Sequence, residues 1–178
     1  ELLNRPVLSI VGSRNPTPQG VLNAEQIARA LAEAGLVIAS GMALGIDAAA
    51  HRGALAAQGD TIAFIGTGID RVYPARNRDL AHEIGARGVI VSEFPIGTPA
   101  IAANFPRRNR LISGIARGIL VVEAAIGSGS LITARLAGEQ GREVFAVPGS
   151  IHSPQARGCH RLIKEGAKLV ETAQYILE

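Results

Sequence analysis

The sequence predicts a three-layer α/β fold with a mostly parallel central sheet. Three observations predict it. Short, β-branched apolar runs alternate with longer stretches of helical periodicity along the whole chain. Glycine supplies 21 of the 178 residues and alanine is abundant, as tight strand-to-helix turns require. Glycine turns with polar residues recur where nearly every strand ends. Strands alternating with helices imply right-handed crossovers and a sheet covered on both faces. In such sheets the ligand lies beyond the carboxyl ends of the strands.

Val7 to Val11 reads as the first strand, and Gly12, Ser13 and Arg14 as the turn after it. Thr17 suits an N-cap and Pro18 the first helical position, because proline has no amide to leave unsatisfied there. Ala24, Ile27, Ala28 and Leu31 mark the apolar face of a helix that ends near Gly35. Leu36 to Ala39 is a second strand, and the turn from Ser40 and Gly41 to Gly45 opens a helix over Ile46 to Gln58. Thr61 to Ile65 is a third strand, followed by Gly66 to Gly68, then Tyr73-Pro74 and a helix from Asn77 to Gly85. Val89 to Val91 is a fourth strand, with Ser92 and Glu93 at its end. Beyond the central segment, Glu143 to Val147 is a strand, Gly158 to Glu165 a short helix, Lys168 to Val170 a strand, and the chain closes on a helical turn.

The central segment, Asn104 to Ala137, carries the chemistry. Arg107, Arg108 and Arg110 cluster around Asn109, just after Phe105. Ile119 to Val122 has the pattern of a strand buried on both faces. Gly127, Ser128, Gly129 and Ser130 form a small turn before the helix formers Leu131 to Ala137. Strand, glycine turn and helix N-terminus together make an anion site, since free amides and the helix dipole both favour negative charge. No Asp or Glu occurs from Phe94 to Val122, where there are four arginines. A phosphate-bearing polymer fits that edge.

Composition narrows the chemistry. A chain of this length forms one domain by default, spanning residues 1–178. Net charge is +3, so the local arginine clustering is a better sign of nucleic acid than the total. Cys159 is the one cysteine, which excludes a disulfide framework, fits a cytoplasmic setting, and reads as inert. No apolar run is long enough to span a membrane. No Walker lysine motif, third dinucleotide glycine or metal-ligand spacing occurs, so neither a cofactor nor a metal is expected. Only six of the 178 residues are aromatic, two Tyr and four Phe with no Trp, so extensive base stacking is not expected. A first residue of Glu1 rather than Met fits an excised core of a longer protein.

Several residues admit two readings. Asp47 and His51 lie four apart on one helical face and read as a structural pair rather than an acid–base pair. Glu123 reads as a general base, or as a cap or ion-pair partner of the arginines. Ser128 and Ser130 read as helix caps and phosphate hydrogen-bonders, because no base is placed beside them. Leu162, Ile163, Leu169, Val170 and Ile176 offer part of a self-association face, or ordinary core.

The blocks Val11-Gly-Ser-Arg14, Ser40-Gly-Met-Ala-Leu-Gly-Ile-Asp47, Gly66-Thr-Gly68, Tyr73-Pro74, Phe105-Pro-Arg-Arg-Asn-Arg-Leu-Ile112, Ser128-Gly-Ser-Leu-Ile-Thr-Ala134 and Arg142-Glu-Val-Phe-Ala-Val-Pro-Gly149 resemble the DprA/Smf family, in the family's order and over nearly the whole chain. The resemblance implies an extended Rossmann-like domain that binds single-stranded DNA, acts in natural transformation, helps load the RecA recombinase and forms a homodimer. By position, Arg14 and Arg107 would contact phosphates. Ser40, Gly41, Phe105, Arg108, Asn109 and Ser128 to Ser130 would line the same pocket, with room for one or two splayed bases. Ala48 departs from the glycine that many members carry. The chain also resembles lysine-decarboxylase-like phosphoribohydrolases at Gly127 to Ser130, but Thr133 stands where their catalytic glutamate would be. The expectation is therefore binding without catalysis.

Overall fold

The computed structural model describes residues 1–178. Seven parallel strands form one sheet in the order β4-β3-β2-β1-β5-β6-β7. They are β1 (Val7–Val11), β2 (Val37–Ser40), β3 (Thr61–Phe64), β4 (Val89–Val91), β5 (Gly118–Val121), β6 (Glu143–Ala146) and β7 (Lys168–Leu169). Seven helices connect and flank them: α1 (Pro18–Glu33), α2 (Ile46–Ala56), α3 (Arg78–Arg87), α4 (Asn104–Ile115), α5 (Gly129–Glu139), α6 (Arg157–Lys164) and α7 (Gln174–Leu177). The four central strands β1, β2, β3 and β5 are buried at every residue, which is why they read as continuous apolar runs. The outer strand β7 is two exposed residues, and so short an edge offers little template for pairing with another chain.

Alternate residues of β1 feed two cores. Leu8 and Ile10 meet Ala24, Ile27, Ala28 and Leu31 of α1 and the alanines of α2. Val7 and Val11 meet Ile112 of α4, Ala134 and Ala137 of α5, and Cys159 of α6. Helices α1 and α2 therefore cover one face, and α4, α5 and α6 the other. A third cluster packs Leu80, Ala81 and Ile84 of α3 against Met42, Leu55 and Ile65. Leu31 is fully buried, and truncating it to alanine costs about 2–5 kcal/mol.

Helix starts follow the local signals. The Thr17 hydroxyl accepts from the Gly20 amide at 3.1 Å, with Pro18 in the first turn. Ser128 caps α5 by accepting from the Ser130 amide at 3.3 Å. Helix α2 stops at Ala56 rather than Gln58, because Gln58 takes a left-handed φ of 54° and turns the chain into Gly59. Helix α3 starts one residue later than the spacing predicts, after a 3-10 turn over Ala75–Asn77, and runs on to Arg87.

Of the two readings of the apolar tail, ordinary core fits four of its five residues. Val170 is fully buried, Ile176 packs on the α1–α2 side, and Leu162 and Ile163 pack on the other. Only Leu169 stays substantially exposed. The reason is that β7 extends the sheet, so these residues close its end.

His51 is fully buried and does not pair with Asp47. Its Nδ1 lies 2.7 Å from the Thr61 hydroxyl, which itself donates to the Ile38 carbonyl at 2.7 Å. That hydroxyl has one proton, so His51 donates from Nδ1 and its Nε2 is left with no partner. Burial, with Arg52 and Arg108 adding repulsion, pushes the His51 pKa down to about 3. The folded pKa lies below the unfolded value of about 6.5, so the stability it contributes is complete above that value and is lost as pH falls toward 3. Urea denaturation at pH 7 and pH 5 should show wild type losing about 2 kcal/mol more than His51→Gln over that interval.

Candidate functional site

The chain leaves β1 for α1 on one face and leaves β5 for α5 on the other, although β1 and β5 are neighbours. The two turns therefore diverge and open a crevice at the carboxyl edge. The turn after β1 is pinned from both sides. The Ser13 amide donates to the Glu123 carbonyl at 2.6 Å, and the Ser13 carbonyl accepts from the Ile46 amide at 3.1 Å. Gly45 has φ +85°, and a Cβ there would lie 2.3 Å from the Ser13 carbonyl oxygen, so only glycine fits. This framework holds Arg14 out at the crevice, exposed and free of any carboxylate partner.

The crevice holds two adjoining clefts. The first is polar, about 450 Å³, and lined by Gly12, Ser13, Arg14, Asn109, the Ser128–Ser130 turn and Asp47, among others. At its wall the Gly129 amide, first in α5, makes no bond inside the chain, and the helix dipole adds partial positive charge there. The second cleft is small and lined by Gly41, Leu44, Tyr73, Pro74 and Phe105. Arg14, Ala43 and Arg108 line both, so these three residues form the shared wall. The Tyr73 and Phe105 ring centroids are 5.4 Å apart, and Arg14 and Arg108 lie over the Phe105 ring at 5.9 and 5.5 Å.

Helix α4 sends its three arginines in different directions, since successive residues turn by about 100°. Arg108 points inward and is only 4% exposed. Its Nη1 donates to the Gly41 carbonyl at 2.7 Å and the Phe64 carbonyl at 2.8 Å, and its Nε donates to Asn109 Oδ1 at 3.0 Å. Asp47 accepts from the amides of Gly41 and Ala43 at 3.2 and 3.3 Å. A Cβ on Gly41 would lie 2.8 Å from both Arg108 and Asp47, so the two charges flank that residue. Burial raises the Asp47 pKa, and the Arg108 charge and the two amides oppose that rise. Burial likewise lowers the Arg108 pKa, with Asp47 opposing.

These contacts correct several expectations. Arg108 lines both clefts as expected, but its Nη1 is held by two main-chain carbonyls and its Nε by Asn109. Arg110 pairs with Glu93, an acid just outside the acid-free stretch. Arg107 is exposed on the outer side of α4, 5.6 Å over the Phe94 ring, and lines neither cleft. Ser40 is fully buried and its hydroxyl donates to the Ile10 carbonyl, so it braces β2 against β1 instead of lining a pocket. Gly127, at φ +86°, shapes the turn but stays outside both clefts. Phe105 and Gly41 belong to the aromatic cleft rather than the polar one.

Glu123 is a cap. Its carboxylate accepts from the Thr17 amide at 2.9 Å and from the Thr17 hydroxyl, tying the end of β5 to the start of α1. Thr133 turns its hydroxyl back to the Gly129 carbonyl at 3.3 Å. Cys159 is buried, and burial pushes its thiol up to about 12, so it stays protonated. Tyr73, Pro74 and Asn15 also line the clefts, beyond the residues that the sequence marks as a site. The signal for Tyr73 was present, as one of six aromatics in the chain placed after a strand-end glycine turn.

Fold and crevice together define a Rossmann-like α/β protein with a polar crevice at its topological switch point. Residues 1–178 match the family described as DNA recombination-mediator protein A, and the chain belongs to that family. It is 49% identical over 177 residues to DNA processing protein DprA of Streptococcus pneumoniae, covering 99% of this chain and 62% of the relative. It is 50% identical over 172 residues to protein Smf of Escherichia coli, covering 96% of this chain but 46% of that relative. The chain thus spans roughly half to three-fifths of these relatives' length. The X-ray structure of the S. pneumoniae protein superposes with a TM-score of 0.94, over 99% of this chain and 62% of that one, at 48% identity. A structure concerning the single-stranded DNA binding mode of DNA processing protein A from Helicobacter pylori superposes at 0.91 and 33% identity, over 98% of this chain and 80% of that one. A molybdenum cofactor binding protein from Rippkaea orientalis, at TM-score 0.68 and 19% identity over 98% and 94% of the two chains, shares the fold alone.

Arg108→Ala should lower unfolding stability by about 3 kcal/mol or more, because it strands two buried carbonyls and leaves Asp47 without its compensating charge. Arg14→Ala should stay within about 0.5 kcal/mol, as for an exposed residue with no structural partner. Denaturant midpoints of the two variants, at unchanged slope, check the contrast.

Proposed function

We propose that this chain binds single-stranded DNA along the crevice, without catalysing a reaction. The observation that carries the reading is Arg14, an exposed, unpaired cation on a rigid turn where a polar anion cleft meets an aromatic one. The free Gly129 amide at the start of α5, with the paired Ser128 and Ser130 hydroxyls, takes a phosphate. Arg14 takes the neighbouring one, and Arg107 on the outer side of α4 takes a third. The edge is concave and presents no protruding helix for a duplex groove, which favours a single strand. The H. pylori relative, whose single-stranded DNA binding mode has been studied structurally, supports this reading, as does the recombination-mediator family. The whole protein, in this reading, is a cytoplasmic homodimer that protects strands entering by natural transformation and helps load RecA onto them. A hydrolytic reading needs a free carboxylate in the polar cleft. Asp47 is already held by two amides, and the position after the serine turn is Thr133.

Titration with labelled oligonucleotides tests it. Single strands should bind clearly better than blunt duplex. The log of the binding constant should fall with log salt at about −0.7 per phosphate neutralised. Arg14→Ala and Arg107→Ala should each flatten that slope by roughly 0.7 and weaken all sequences alike. Arg110→Ala should leave it unchanged, because Glu93 already neutralises that cation. Equal affinity for duplex, or sustained hydrolysis of ATP or nucleoside monophosphates, would overturn the reading.

A further inference from the structure

We propose that Tyr73 and Arg76 form a second subsite of the strand-binding edge, where Tyr73 with Phe105 stacks a base and Arg76 takes the phosphate beyond it. This rests on the single-stranded DNA reading above and extends it onto the connection between β3 and α3.

That connection is a fixed arm. The buried Asn77 side chain donates to the Met42 carbonyl at 2.8 Å, tying the arm to the turn under the clefts. At its other end the Thr67 hydroxyl lies 3.3 Å from the Arg71 carbonyl, and Asp70 accepts from the Gly97 amide at 2.8 Å. Between these anchors Tyr73 is 47% exposed. Neither Tyr73 nor Phe105 belongs to any of the three core clusters, so their pairing is not explained by core packing. The chain has only six aromatic residues; Phe94 and Phe105 lie against arginines, and Tyr73 lies against Phe105 in the cleft that Arg14 and Arg108 also line. Half-exposed rings with adjacent guanidinium groups are what unstacked bases recognise, since every base offers a π face.

Arg76 lies three residues beyond Tyr73, in the 3-10 turn that Asn77 anchors. It is exposed and has no carboxylate partner. A strand whose phosphate sits at α5 would pass Arg14, lay a base on the Phe105–Tyr73 pair, and meet Arg76 next. The polar cleft then reads phosphate and the aromatic cleft reads base, with Arg14 and Arg108 at their junction.

The chain lacks Trp, and Tyr175 is its only other tyrosine, so Tyr175→Phe leaves Tyr73 as the single strong emitter. In that background, saturating oligothymidylate should quench tyrosine emission by more than half, whereas an abasic deoxyribose-phosphate oligomer of equal length should not. Tyr73→Ala should weaken oligothymidylate binding roughly tenfold with the salt slope unchanged and abasic binding intact. Tyr73→Phe should keep wild-type affinity, and Arg76→Ala should flatten the salt slope by about 0.7. Unquenched emission at saturation, or equal loss of abasic and base-bearing strands in Tyr73→Ala, would overturn the stacking assignment. An unchanged slope in Arg76→Ala would remove that arginine. If Arg14→Ala abolishes binding while Tyr73→Ala is neutral, this subsite fails and the broader reading stands. No binding by wild type sinks both.

Discussion

The buried guanidinium of Arg108 is the constraint on which the rest of the edge depends. It reaches from α4 across to β3 and to the turn after β2, holding the Phe64 and Gly41 carbonyls at once. On the other side of Gly41, Asp47 holds the Gly41 and Ala43 amides. One residue's peptide groups are thus gripped by opposite charges from two helices. A buried cation without such partners would be expensive, and a turn without them would be free to move. The arrangement fixes α4 against the sheet, and with it the Phe105 ring and the approach to both clefts.

That constraint also explains how the arginines divide their work. Four of them lie in or near the crevice, yet each has a different environment. Arg108 holds main-chain carbonyls where the clefts meet, Arg110 is neutralised by Glu93, Arg107 rests on Phe94 outside the clefts, and Arg14 stands exposed between the two. A basic cluster in a sequence is therefore not a count of ligand contacts. Helical geometry spreads neighbouring side chains around the axis, and the inward one meets carbonyls before it meets a ligand.

The switch point between β1 and β5 does the complementary work of opening the crevice. Solved relatives at 48% and 33% identity share this fold over nearly the full chain, as does a cofactor-binding protein at 19% identity. A crevice at this position is a property of the topology, whereas what fills it is a property of the side chains there.

Local sequence already records the seven strands, the order of helices between them, and the caps at Thr17 and Ser128. It also records the glycine turns that gather at one edge. These are local properties: β-branched runs, helical periodicity and cap chemistry act over a few residues. Packing of distant segments sets which arginine is buried, that Glu123 caps α1, that Ser40 is a strut, and that Tyr73 lies against Phe105. Those contacts join residues distant in sequence: Arg108 and Gly41 are 67 residues apart, Glu123 and Thr17 are 106 apart. No periodicity records such a pairing. It is set by which strands lie side by side and by which buried polar groups still lack a partner once they do.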